Sequence, residues 1–258
     1  MRKTRYLSTM TVQPSIHAKT ELTPKGKLRV GINHSNFLLS TRNPVSGAYS
    51  GIVIDLATEL ARRLDVAFEV VGFENPGLIA DAAQSDAWDI AFMGSEPARA
   101  NVIVFSTAYL EIDAGYLVPP GSPIQNINEV DRTGIRIALM DKSAYDLYLS
   151  RHIKHATLIR TSSIDASFEV FVRDQLEVLA GLKPRLTSDA SNHPGARILN
   201  GRFTAIQQSI GAPKGRDAGA KFLLEFVEEI KATGMVEALI NKHNVRGVSV
   251  AAAATPSN

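Results

Sequence analysis

Arg99 stands in the run EPARANVIVFSTAYL, just after a predicted strand. A guanidinium presents a fork of N–H donors that matches the two oxygens of a carboxylate. Ser143 opens the predicted helix SAYDLYLSRHIK, and a helix start carries unpaired N–H groups and partial positive charge. An anion is therefore the group that both could hold. The plain alternatives are a surface arginine and an N-cap serine. Asn33, Asn36 and Asn75 lie in predicted loops. Their amides suit hydroxyl, keto or amide groups, although asparagine in a loop also simply forms turns. Gln207 and Gln208 could bond a ligand or the backbone. Glu74, Glu96 and Asp141 are the carboxylates an acid–base reaction would call on.

Other chemistries find less support. The chain has no cysteine, which excludes disulfides, thiolate metal sites and cysteine nucleophiles. His152 and His155 have an i, i+3 spacing without an evident third ligand, and read as a solvated helix face. GAPKGRDAGAK lacks the phosphate-loop spacing and its Lys-Ser/Thr pair. No G-x-S-x-G run is present. Neither a metal nor a cofactor is expected. The net charge is +2 with no Lys/Arg block, so nucleic acid is not an expected partner. No apolar run approaches the roughly 18 residues of a membrane helix. Residues 1–26 lack the apolar centre of a secretory signal and read as a poorly ordered leader.

These side chains must be positioned by regular elements. Leu28, Val30 and Ile32 alternate with Arg29 and Gly31, a strand pattern. After a polar loop, Val53, Leu56, Ala57, Leu60, Ala61 and Leu64 recur at helical spacing, with Glu59, Arg62 and Arg63 off the stripe. VAFEVVGF, GLIADAAQS and WDIAFM then read as strand, short helix and strand, with Trp88 packing and Phe92 a candidate wall of the site. The β-α-β-α-β order predicts a parallel sheet covered by helices. A second set follows in RIALM, SAYDLYLSRHIK, ATLIRT, DASFEVFVRD and LEVLAGL. TSDASNHPGARILNG reads as a loop. DAGAKFLLEFVEEIKATG reads as a helix stopped by Gly234, MVEALINKH as a short helix, and VSVAAAATPSN as a tail. A chain of 258 residues can build two modest lobes, each with a core.

In order and spacing, LRVGIN, GIVIDLATELARRL, GLIADAAQSDAWDIAFMG, EPARANVIVFSTAYL, YLVPPGSPIQNINEV, RIALMDKSAYD and KATGMVEALINKH resemble the landmarks of the bacterial extracellular solute-binding proteins, family 3. This is the amino-acid-binding group of ABC importers, with the type II periplasmic binding protein fold. The resemblance covers about residues 27 to 245. It implies an α/β fold of two lobes joined by two crossing strands, with 27–111 and 207–258 in lobe 1 and 112–206 in lobe 2. Arg99 matches the arginine that holds the ligand carboxylate in the family, and Gly94 the position whose N–H also meets it. Ser143 matches the grip from lobe 2. Arg99, Gly94, Ser143, Asn33, Asn36, Asn75, Phe92 and Gln208 are the expected ligand-binding residues.

Two departures alter the expected ligand. Relatives hold a ligand ammonium with acidic residues, and the matching positions here are Asn33 and Leu182. Asn36 and Asn75 stand where relatives often place a stacking ring. The implied function is capture of a small organic anion, by a monomer, for an ABC permease. The expected location is periplasmic, with cytoplasmic as the alternative because no export signal is read in this chain. The rival readings are a cyclohexadienyl or prephenate dehydratase-like enzyme on the same fold, and a soluble ligand sensor.

Overall fold

Alternating apolar residues make β1 (Leu28–Asn33) a strand buried along nearly its whole length. The computed structural model describes residues 11–254. α1 (Ile16–Leu22) precedes β1; after it come β2 (Thr41–Arg42), β3 (Tyr49–Ser50), α2 (Ile52–Leu64), β4 (Phe68–Phe73), α3 (Pro76–Asp81), β5 (Ile90–Gly94) and the long β6 (Ile103–Val118). The second set holds β7 (Arg136–Met140), α4 (Ala144–His152), β8 (Thr157–Thr161), α5 (Ile164–Arg173), β9 (Val178–Leu182), α6 (Lys183–Asn192) and β10 (Arg197–Ile198). The chain returns through β11 (Thr204–Pro213), α7 (Asp217–Ala232), α8 (Met235–Lys242) and β12 (Val248–Val250).

β1 pairs in parallel with β4 and β5, and β7 pairs in parallel with β8 and β9. β6 and β11 lie antiparallel to each other between the two sets, giving the order β4-β1-β5-β11-β6-β9-β7-β8. The lobes are thus joined by two strands. The expected boundaries at 111/112 and 206/207 fall within β6 and β11. Each lobe has its own apolar cluster. In lobe 1 the α2 stripe of Leu56, Leu60 and Leu64 packs with Phe222, Phe226 and Ile230 of α7. In lobe 2 Ile137, Leu139, Val178 and Leu149 lie at the centre. Gly234 adopts φ +75 just past α7, a left-handed conformation that glycine takes without strain.

The structure corrects the sequence reading at four places. Residues 16–22 are a helix, not leader: Ser15 caps α1, and Ala18 and Leu22 are buried in the lobe 1 core. Gly219 of α7 permits this contact, since a Cβ there would sit 2.7 Å from Leu22. Residues 1–10 lie outside the described residues. Thr187–Asn192, expected as loop, belong to α6, where Pro184 occupies the first turn and Arg185 bonds Asp189 one turn on. Val248–Val250, expected as tail, pair with β6. Arg63 falls off the apolar stripe yet is buried, because Glu59 and Glu229 bond it and its guanidinium lies 4.7 Å from the Phe226 ring centroid.

Candidate functional site

The ends of β1, β5, β7 and β9 and the first half of β11 meet at the junction of the lobes, where a cavity forms. Arg99 begins a short 3₁₀ turn, Arg99–Asn101, after β5, and its side chain lies in the cavity wall with 3% exposure. Nη1 donates to the Gly94 carbonyl at 2.5 Å, and Nη2 donates across the lobes to the Lys142 carbonyl at 2.9 Å. Among the described residues no carboxylate pairs with it; the charge of Glu96 acts on it, but Glu96 bonds Arg151 instead at 2.6 Å. Desolvation pushes the Arg99 pKa down to about 10, against a smaller upward pull from Glu96. The group stays charged at neutral pH. Of the five N–H donors of a guanidinium, the two carbonyls use two, which leaves three uncommitted.

Gly94 ends β5 opposite Gln208. A Cβ here would meet Ile206 at 2.9 Å and Ala144 of lobe 2 at 3.0 Å, so glycine allows the lobes to approach. Ser143 is the N-cap of α4: its hydroxyl accepts from the Asp146 N–H at 3.0 Å. The capping alternative therefore holds for its side chain. Ser143 and Ala144 also line the cavity, so the helix start with its free N–H groups faces the site.

The asparagines separate. Asn33 lines the cavity, but its Oδ1 accepts from the Ser35 N–H at 3.0 Å and the Ser35 hydroxyl at 2.8 Å, a turn within the loop. Asn75 is not part of the cavity wall; its Oδ1 caps α3 through the Leu78 N–H at 3.0 Å, and its neighbour Pro76 lines the cavity instead. Asn36 lines the cavity, and its Oδ1 is buried without a hydrogen-bond partner among the described residues. Phe92, Gln208 and Leu182 are in the wall as well.

Sequence reasoning missed Tyr145, Ile164, Met140 and Ile206 as wall residues. Two had a signal. Ile206 lies two residues before Gln208 on β11 and so shares its face, and Tyr145 is in the helix turn that Ser143 opens. Burial pushes the Tyr145 phenol up to about 12, so it is neutral. The wall contains neither a carboxylate nor an imidazole among the described residues. Glu74 is exposed, and Asp141 is half exposed with Arg160 at 3.7 Å. His152 stacks on Tyr148, and no group of three metal-ligating side chains occurs among the described residues. Trp88 is buried and donates to the Ile79 carbonyl at 3.0 Å, as packing predicts. No described helix is long and apolar enough to cross a membrane.

A family model described as bacterial extracellular solute-binding proteins, family 3, matches residues 28–246. The chain is 21% identical over 221 residues to the ABC transporter glutamine-binding protein GlnH of Bacillus subtilis, covering 84% of this chain and 80% of that protein. Among solved structures, a mutant of the arginine-binding protein ArgBP of T. maritima superposes with a TM-score of 0.72 at 21% identity, covering 88% of this chain and 99% of that one. The ancestral amino acid-binding protein AncCDT-1, a precursor of cyclohexadienyl dehydratase, superposes with a TM-score of 0.72 at 21% identity, covering 87% and 97%. These likenesses establish a type II periplasmic binding protein fold of two lobes.

Proposed function

This chain belongs to the bacterial extracellular solute-binding proteins, family 3, and from that premise we propose that it captures a small organic carboxylate between its lobes and hands it to an ABC permease outside the cytoplasm. The observation that carries the ligand class is the buried, carboxylate-free guanidinium of Arg99 in a wall that has no other charged group among the described residues. A desolvated cation with spare donors is stabilised by an anion, and a carboxylate fits its fork. Ala144 and Tyr145, in the first turn of α4, add N–H groups and partial positive charge from lobe 2.

The solute carries no charged α-ammonium. Relatives named for glutamine or arginine bind amino acids. Here Leu182 offers nothing polar, and Asn33 has spent its oxygen on Ser35. An ammonium closed into this wall would lose its water without gaining a carboxylate. The same lining supports a binding protein over a lyase, since neither acid nor base is in place to move a proton.

A thermal-shift screen tests the reading. Hydroxy-, keto- and simple carboxylic acids are expected to raise the melting temperature, and standard α-amino acids to leave it unchanged. The solute should be recovered intact after long incubation. Tight binding of an ordinary α-amino acid with amino-free acids inert would reverse the assignment.

A further inference from the structure

Beside the cavity lies a second, narrower chamber. The two share Ser35, Asn36, Tyr145, Ile164 and Leu182 as walls. The chamber ends at Arg185 and Asp189 of α6 and has room for about one group of water size. Asp189 is 2% exposed. Its Oδ1 accepts from Arg185 Nε at 2.8 Å, while Arg185 Nη1 reaches Asp165 at 2.7 Å. At the mouth stands the buried Asn36 Oδ1, without a partner among the described residues. Buried acceptors nearly always have donors, and a lone one is a position that something else fills.

Resting on the carboxylate-binding reading above, we infer that the second chamber is a subsite for one neutral hydrogen-bond donor of the solute, a hydroxyl or amide N–H, accepted by Asn36 Oδ1. The solute is then a carboxylic acid with its carboxylate on Arg99 and a donor farther along its chain. In the chamber Arg185 bonds Asp189 and Asp165, whereas Asn36 Oδ1 is a buried acceptor without a donor among the described residues. A neutral donor suits it better than an ammonium, because Arg185 already matches the Asp189 charge, and burial raises the Asp189 pKa, which disfavours further charge there.

Calorimetry on matched acids tests this: butyrate, 4-hydroxybutyrate and 4-aminobutyrate, with the five-carbon set beside them. The wild type is expected to bind one of the hydroxy acids about tenfold or more tighter than its parent acid, because the parent leaves the Asn36 acceptor unpaired. That ratio is expected to fall to near one in Asn36→Ala. The far-ultraviolet circular dichroism spectrum of Asn36→Ala, expected to match the wild type, serves as the folding control. Equal affinity for hydroxy and parent acids in the wild type, or a preference that survives Asn36→Ala, would overturn the inference. Tighter binding of the amino acid than of the hydroxy acid would do the same. If the acids bind and Arg99→Ala abolishes binding while the hydroxyl is ignored, the subsite fails and the carboxylate reading stands. If none of the acids binds, both fall.

Discussion

Burial costs Arg99 its hydration, and two backbone carbonyls return only part of it. The balance is available to a ligand carboxylate, which makes Arg99 the strongest single anchor. Truncating one partner of a buried charge pair costs about 2–5 kcal/mol, so Arg99→Ala is expected to weaken carboxylate binding roughly thirtyfold or more, since about 1.4 kcal/mol is tenfold. Arg99→Lys should recover only part of this, because an ammonium cannot reach both carbonyls and a carboxylate with a planar fork. Calorimetry with unchanged affinity in either variant would remove Arg99 from the site. The asparagines make the same point about single residues. Asn33 and Asn75 have the same side chain as Asn36, yet their oxygens are spent on a turn and a cap. Only the hydrogen-bond accounting of each oxygen distinguishes them.

Among the elements, α1 has the clearest stability consequence. It is a seven-residue helix, too short to persist alone. It is held by Leu22 against α7 and by Glu21, whose carboxylate accepts from the Gly219 N–H at 2.8 Å. Leu22→Ala should cost about 2–5 kcal/mol through the cavity it leaves. The expected sign is a lower urea midpoint with an unchanged m-value, and unchanged affinity for the carboxylate. An unaltered midpoint would mean that α1 detaches without consequence. α4 contributes differently. Ser143 caps it, and the Asp146 carboxylate accepts from the Lys142 N–H at 2.8 Å and from Arg160 Nε at 3.0 Å. That network fixes the direction of the helix start and, through Lys142, places a carbonyl against Arg99.

At the scale of the molecule, the contacts that cross between the lobes include Arg99 with the Lys142 carbonyl, Lys142 with Asp81 at 2.8 Å, and Arg151 with Glu96 at 2.6 Å. Both ion pairs are at least partly solvated, so each contributes little by itself. A ligand that joins Arg99 to the start of α4 would add a further link between the lobes. Closure between two lobes linked by two strands is a hinge motion. Small-angle scattering should therefore give a smaller radius of gyration at saturating carboxylate than without it. An unchanged profile, alongside calorimetric binding, would show that the solute enters without lobe movement.

Much of this arrangement was legible in the residues. Alternation in LRVGIN and the 3.6-residue stripe of α2 follow from burial on one face, a local pattern that tertiary context merely uses. The order of segments was enough for the family and the two-lobed fold. Arg99, Gly94, Ser143, Asn33, Asn36, Phe92 and Gln208 come from three strand ends, β11 and both lobes, and all seven line one cavity. What the sequence could not settle is what each polar atom bonds. α1 and β12 form only because distant partners, α7 and β6, cover them. Arg63 is buried because Glu59, Glu229 and Phe226 converge on it. Asn75 turned from ligand candidate into a cap, and the second chamber depends on α6 lying where a loop was expected. Pattern along a chain records which face is apolar; which donor meets which acceptor is a matter of distances of about 3 Å, and those are set only when elements far apart in sequence have packed.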